Sequence, residues 1–154
     1  MRDRVFLDTN VVVYLYSNSE PAKRALVGGV VERHDPVVST QVLSELANVL
    51  LRKLALPIEA VERAIDEVIM ACDLVLVTPA MVKTALRICE RYRYSFFDSQ
   101  VLAAAIATGA RTVYSEDLQH GQIIDGLRIV SPFAAEARER TARYRSRVRS
   151  LRAA

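Results

Sequence analysis

A chain of 154 residues, 51% hydrophobic and 25% charged, is long enough for one domain with its own core and too apolar to stay disordered. No apolar run reaches the roughly 18 residues that a membrane span needs. Met1-Arg2-Asp3-Arg4 leads into an apolar run that ends at an acid, which is not a secretory leader, so a cytoplasmic address is expected. The net charge of +3 hides a split, because seven arginines and one acid, Glu139, lie from Arg138 onward. The remaining body holds 14 basic and 17 acidic residues, so an acidic domain (1–137) precedes a basic tail (138–154) suited to contact with a phosphate backbone.

In chain order, Val5 to Leu7 reads as a short buried strand, and Asp8-Thr9-Asn10 turns it into a short helix. Ser19-Glu20-Pro21 opens a second helix, with Ser19 as the expected cap, and this helix ends near His34-Asp35-Pro36. Val37-Val38-Ser39 is a second strand. Ser39 or Thr40 caps the next helix, where Val42, Leu43, Leu46, Val49 and Leu50 recur at helical spacing. Pro57 starts another helix, Leu74 to Val77 is a third strand, and Thr78-Pro79 opens the helix that carries Met81, Ala85 and Cys89. Asp98 is expected to open a helix that is apolar nearly all round, hence buried, and that stops at Gly109. Arg111 to Tyr114 is a fourth strand and Leu127 to Val130 a weak fifth. Helices between successive strands imply a mostly parallel α/β sheet with right-handed crossovers. Tyr144, Val148 and Leu151 recur at helical spacing in the tail, which is either a solvated end or a basic helix that touches RNA or a partner.

Four acids, Asp8, Glu45, Asp98 and Asp117, fall at or near the carboxyl ends of these strands, the edge at which open parallel sheets bind ligands. Each has a plain alternative: a cap for Asp8 and Asp98, a solvated helix face for Glu45, a turn for Asp117. Together they would repel one another unless a cation sat between them. Hard oxygen ligands select Mg²⁺ or Mn²⁺ over zinc, and a divalent cation among carboxylates suits phosphodiester hydrolysis. Cys72 and Cys89 show no zinc spacing and read as reduced core thiols. His34 and His120 read as surface histidines rather than acid–base catalysts. Tyr92, Tyr94, Phe96 and Phe97 read first as core packing, with base stacking as the alternative.

Four stretches carry a family resemblance: Phe6-Leu7-Asp8-Thr9-Asn10-Val11, Ser39 to Leu46, Phe97 to Ala104, and Tyr114 to Gln119. In this order they resemble the PIN-domain nucleases, and within them the VapC-type toxins of toxin–antitoxin pairs, over about Val5 to Phe133. The resemblance implies a three-layer α/β/α sandwich with strand order 3-2-1-4-5 and Mg²⁺- or Mn²⁺-dependent cleavage of RNA. It implies that Asp8, Asp98 and Asp117 hold the metal and that Glu45 acts through water. Ser115 would steady the cluster, and Thr9 and Asn10 would support the first acid. A homodimer and a VapB-type antitoxin that covers the groove are also implied. Glu116 neighbours Asp117, and the family spacing from Ser115 favours Asp117 as the acid that faces the cation. Two other classes compete. An aspartyl-phosphate enzyme would want a second Asp where Asn10 stands. A non-catalytic PIN-like module would bind RNA or a partner without cutting, but has no reason to gather four repelling acids.

Overall fold

The computed structural model describes residues 1–134, 142–143 and 145–150. Strand β1 (Arg4–Leu7) runs into helix α1 (Thr9–Val12), which tightens into a 3₁₀ turn (Val13–Tyr16) before α2 (Pro21–Arg33). There follow β2 (Asp35–Ser39), α3 (Thr40–Arg52), α4 (Ile58–Ala71), β3 (Asp73–Val75), α5 (Pro79–Tyr92) and α6 (Phe96–Ala107). Three short strands close the body: β4 (Thr112–Tyr114), β5 (Ile123–Ile124) and β6 (Leu127–Val130).

The sheet order is β3-β2-β1-β4-β6-β5. Every pairing is parallel except that of β5 with β6. The five expected strands therefore keep the expected order within an α/β/α sandwich, and β6 is the expected fifth. The addition is β5, a two-residue edge strand. Asp125 (φ 49°) and Gly126 (φ 82°) make a tight hairpin turn that folds β5 back onto β6. Asp-Gly with both residues at positive φ is a strong hairpin signal, but two residues of strand are too few to show alternation.

The sheet centre is fully apolar. Val5, Phe6, Leu7, Val37, Val38, Val113 and Ile129 are buried, and Val42, Leu46, Leu50, Leu102 and Ala104 pack on them from α3 and α6. An unbroken buried run, Ser99 to Ala105, accounts for the even hydrophobicity of α6. Burial at roughly 25 cal/mol per Å² of apolar surface makes this core the main stabilising term. Cys72 and Cys89 are free and half-buried, as expected.

Several boundaries differ from the sequence expectation. Ser19 does not cap α2: Glu20 holds the cap position without a side-chain bond, and the Ser19 hydroxyl pairs with Ser17 at 3.0 Å. Pro21 at the first helical position lacks an N–H, which removes one of the orphan donors at the helix start. Asp98 does not open α6. Ser95 caps it by accepting from the Asp98 amide at 3.2 Å, which puts Asp98 in the first turn with its carboxylate uncommitted to capping. Strand β3 begins one residue early and stops at Val75, and the Val77 amide donates instead to Thr40 Oγ1 at 3.1 Å. Among the aromatics before Asp98, Tyr92, Tyr94 and Phe96 pack on the core, whereas Phe97 is 63% exposed. In the tail, residues 145–150 are helical, while Tyr144 and Leu151 lie outside the described residues. Among the described residues no helix is long and apolar enough to cross a membrane.

Candidate active site

The carboxyl ends of β1 and β4 set the site. The Asp8 amide continues the ladder by donating to Tyr114 O at 3.0 Å, so the residue just past β1 is locked to the last residue of β4. There Asp8 caps α1, with Oδ1 accepting from the Thr9 amide at 2.7 Å. Its Oδ2 accepts from Ser115 Oγ at 2.8 Å and from Asn10 Nδ2 at 3.3 Å. Asp8 is only 5% exposed. Burial pushes its carboxyl up to about 6, against the lowering pull of the Ser115 and Thr9 bonds, and the charges of Glu45 and Asp98 add to the rise.

Asn10 ties the loop after β4 to this acid. Its Nδ2 lies 3.0 Å from Asp117 Oδ2 and 3.3 Å from Ser115 Oγ, and its Oδ1 accepts from the Glu116 amide at 3.0 Å. Ser115 also accepts from the Asp117 amide at 3.3 Å. The neighbouring acids thereby part company. Asp117 turns its carboxylate to Asn10 and the Asp8 cluster. Glu116 turns away, accepting from Tyr14 Oη at 2.7 Å and from Lys23 Nζ at 3.2 Å. The lysine also stands over the rings of Tyr14 and Phe133, at 4.9 and 4.8 Å from their centroids. Among the described residues Glu116 is thus paired with a cation and Asp117 is not.

Glu45 reaches the same space from the second turn of α3. Thr9 Oγ1 donates to its Oε2 at 2.7 Å and Gln41 Nε2 to its Oε1 at 2.9 Å. Asp98 arrives from the first turn of α6, where unpaired helix N–H groups favour a negative charge.

These side chains line one groove of about 690 Å³, walled by Asp8, Glu45, Asp98, Glu116 and Asp117 at one end. Ser17 after the 3₁₀ turn, Asn48 on α3 and Lys53 just past its end also line it. All seven expected site residues belong to this arrangement, Ser115 through its bonds to Asp8 and Asn10 rather than as lining. His34 and His120 do not line it. His34 Nδ1 pairs with Val30 O at 3.0 Å, and His120 Nδ1 accepts from the Ser131 amide. Sequence reasoning missed Tyr14 and Lys23, whose roles depend on contacts 102 and 93 residues away. It missed Gln41 as a functional residue too, although Gln41 and Glu45 stand one helical turn apart, a spacing that pairs side chains.

The donor set suits a hard divalent cation: it is all oxygen, and its most buried member resists carrying a charge alone. The acids share a groove without closing on one point. Among the described residues no three His, Cys, Asp or Glu side chains are drawn as tightly together as a ligand set would be. Asn10, Gln41, Thr9 and Ser115 hold Asp8, Glu45 and Asp117 by hydrogen bonds.

An acid-walled groove at the carboxyl edge of a parallel sheet, reached from β1, α3, α6 and the loop after β4, defines the class, and the family follows from comparison. The model of the PIN domain matches residues 5–126, and the chain belongs to that family. Solved structures share the fold. Mycobacterium tuberculosis VapC20, described as a sarcin-ricin-loop-cleaving toxin, superposes with a TM-score of 0.60 at 22% identity, over 73% of this chain and 89% of that one. DNA-bound VapBC from Salmonella typhimurium gives 0.62 at 20% identity, over 84% and 98%. A toxin–antitoxin complex from Klebsiella pneumoniae gives 0.64 at 16% identity, over 83% and 97%. No curated protein matches the chain by sequence.

Proposed function

We propose that this PIN-domain protein is a Mg²⁺- or Mn²⁺-dependent endoribonuclease and the toxin of a VapBC-type pair. The observation that carries the reading is Asp8: a carboxyl that is 5% exposed, raised to about 6, and faced by further acids across one groove. A buried carboxyl facing further acids is costly to ionise without a counter-charge, and this supports a cation as its partner. Asp8, Asp98 and Asp117 would hold that cation, with Glu45 acting through water, and once bound it supplies Lewis acidity at the scissile phosphate and lowers the pKa of a water nucleophile.

The chain's own groups do the positioning. Ser115 and Asn10 fix the outer oxygen of Asp8, and Asn10 holds Asp117 beside it. Thr9 and Gln41 leave free lone pairs on both oxygens of Glu45 while setting their direction. The groove, about 690 Å³ and lined also by Ser17, Asn48 and Lys53, offers room beside the acids for an RNA strand. We assign residues 1–137 to the nuclease body and 138–154 to a tail whose net +6 charge adds affinity for the RNA backbone. A VapB-type antitoxin, a homodimer and a cytoplasmic setting belong to the same reading. Its support is the family and the recurrence of VapBC and FitAB toxin–antitoxin assemblies among the structures that share the fold.

The test is cleavage of RNA by purified protein with and without Mn²⁺, beside Asp98→Asn. The expected result is metal-dependent cleavage, reduced by at least about 10³-fold in a folded Asp98→Asn protein. Metal-dependent cleavage at the wild-type rate in that variant overturns the assignment. RNA affinity with neither metal uptake nor cleavage selects a non-catalytic binding module instead.

A further inference from the structure

Glu45 is the one acid of the groove held by a chain of side-chain amides. Gln41 Nε2 donates to Glu45 Oε1 at 2.9 Å and to the backbone carbonyl of Phe97 at 3.0 Å. Gln41 Oε1 in turn accepts from Gln100 Nε2 at 2.9 Å. The orientation of the Gln41 amide is dictated by its surroundings. One end faces two acceptors, a carboxylate and a carbonyl, so the NH₂ group must sit there; the reverse orientation would set oxygen against oxygen twice. Both N–H donors and the carbonyl of Gln41 are therefore in use. Gln100, only 8% exposed, anchors the chain from the buried face of α6.

The relay links the two helices that deliver acids to the groove. Gln41 and Glu45 are on α3, while Phe97 and Gln100 flank Asp98 in the first turns of α6. The Phe97 carbonyl is one residue from Asp98, so the bond from Gln41 fixes the entry of α6 relative to the Glu45 carboxylate. Thr9 clamps the other oxygen of Glu45 from α1, beside Asp8. A glutamate side chain left free would sample several rotamers, and ordering it on cation binding would cost entropy. Neutral amides do this ordering in advance without adding a charge to an already repulsive site.

We propose that Gln41 and Gln100 are positioning residues that pre-set the Glu45 carboxylate and its distance from Asp98 for divalent-cation binding. Their effect is on cation affinity and not on RNA contact. The proposal rests on the metal-dependent reading of the groove.

The experiment is Mn²⁺ titration of the full-length protein by calorimetry, in wild type, Gln41→Asn and Gln100→Met, with the melting temperature of each recorded without metal. Gln41→Asn shortens the side chain by one methylene, so it can no longer span Glu45, Phe97 and Gln100 at once. The expected result is about tenfold weaker Mn²⁺ binding in Gln41→Asn and a smaller loss in Gln100→Met. RNA cleavage should recover toward the wild-type rate when Mn²⁺ is raised by the same factor, with the KM for RNA unchanged. Mg²⁺ added to ¹⁵N-labelled wild type should also shift the Gln41 side-chain amide resonances. Folded variants that bind Mn²⁺ within twofold of wild type overturn the relay alone. A wild type that takes up no Mn²⁺ overturns the metal-site reading, and the relay with it. Should Gln41→Asn fail to fold, Gln100→Met and the amide shifts decide the matter by the same criteria.

Discussion

The two ends of strand β1 handle acidic residues in opposite ways. At the amino end, Arg4 stands between two acids, with Nη1 3.5 Å from Asp35 at the start of β2 and 3.1 Å from Asp73 at the start of β3. All three side chains are more than a third exposed, so water and counter-ions share the load. At the carboxyl end, four residues on, Asp8 is buried and faces Glu45 and Asp98, with no cation paired to it among the described residues. The one lysine bonded there, Lys23, is spent on Glu116. One edge is an arrangement a fold can keep for stability. The other gathers acids around a buried carboxyl, which fits the proposed cation site.

The comparison is broken most severely at Asp8. Asp8→Asn should cut metal-dependent RNA cleavage by at least about 10³-fold, and it should also make the metal-free protein more stable at neutral pH. The sign follows from the raised carboxyl. A folded pKa of about 6 against 3.8 for the unconstrained group means that the folded state holds the proton more tightly than the unfolded one. The stabilising contribution is complete below 3.8 and is lost as pH rises through about 6. Ionised Asp8 therefore costs the metal-free fold on the order of 3 kcal/mol at most, at about 1.4 kcal/mol per unit. Denaturant unfolding in chelator should show Asp8→Asn more stable than wild type at pH 7.5 and equal to it near pH 3.5. A variant less stable than wild type at pH 7.5 would mean that the Ser115 and Thr9 bonds outweigh burial.

A cation should relieve the same strain. Mn²⁺ at about 100 times its Kd should raise wild-type stability by roughly 2.7 kcal/mol, and EDTA should remove that gain. Asp8→Asn and Asp98→Asn should lose most of it. Equal stabilisation of wild type and Asp8→Asn would place the bound ion elsewhere.

Why the strained edge was legible from sequence, and its scaffolding was not, comes down to distance along the chain. Asp8 announces itself because an acid directly after Val5-Phe6-Leu7 must emerge at a strand end. Asp98 and Asp117 are marked less sharply, one by its place near the start of an apolar helix and the other by lying three residues past β4. The parallel sense of the strands follows from the helices between them, whereas their order was implied only by the family resemblance. What holds the acids is different in kind. The bond from Lys23 to Glu116 spans 93 residues and that from Gln100 to Gln41 spans 59, and both depend on how closely packed elements approach. No local pattern encodes that approach. Between Glu116 and Asp117, the family spacing from Ser115 favoured Asp117, but the contacts that part the two acids, Asn10 with Asp117 and Tyr14 with Glu116, lie more than 100 residues apart in sequence. Ser19 and β5 are failures of a smaller sort, a cap one residue too early and a strand too short to alternate.

The smallest effect is expected at the paired edge, and it sharpens the contrast. Arg4→Met keeps the aliphatic stem and removes the charge between Asp35 and Asp73. Exposed ion pairs are worth about 0–1 kcal/mol, so the loss should be under about 1 kcal/mol and should shrink further in 0.5 M salt as screening takes over. Unlike Asp8→Asn, it should lower stability at pH 7.5, because here the arginine favours the ionised acids and does not leave them stranded. Mn²⁺ affinity and RNA cleavage should stay at wild-type values, since β1 separates the two clusters and no hydrogen bond of the groove passes through Arg4. A change in Mn²⁺ affinity beyond twofold in folded Arg4→Met protein would show that charge at one end of the strand is felt at the other, and the two edges could no longer be treated as independent.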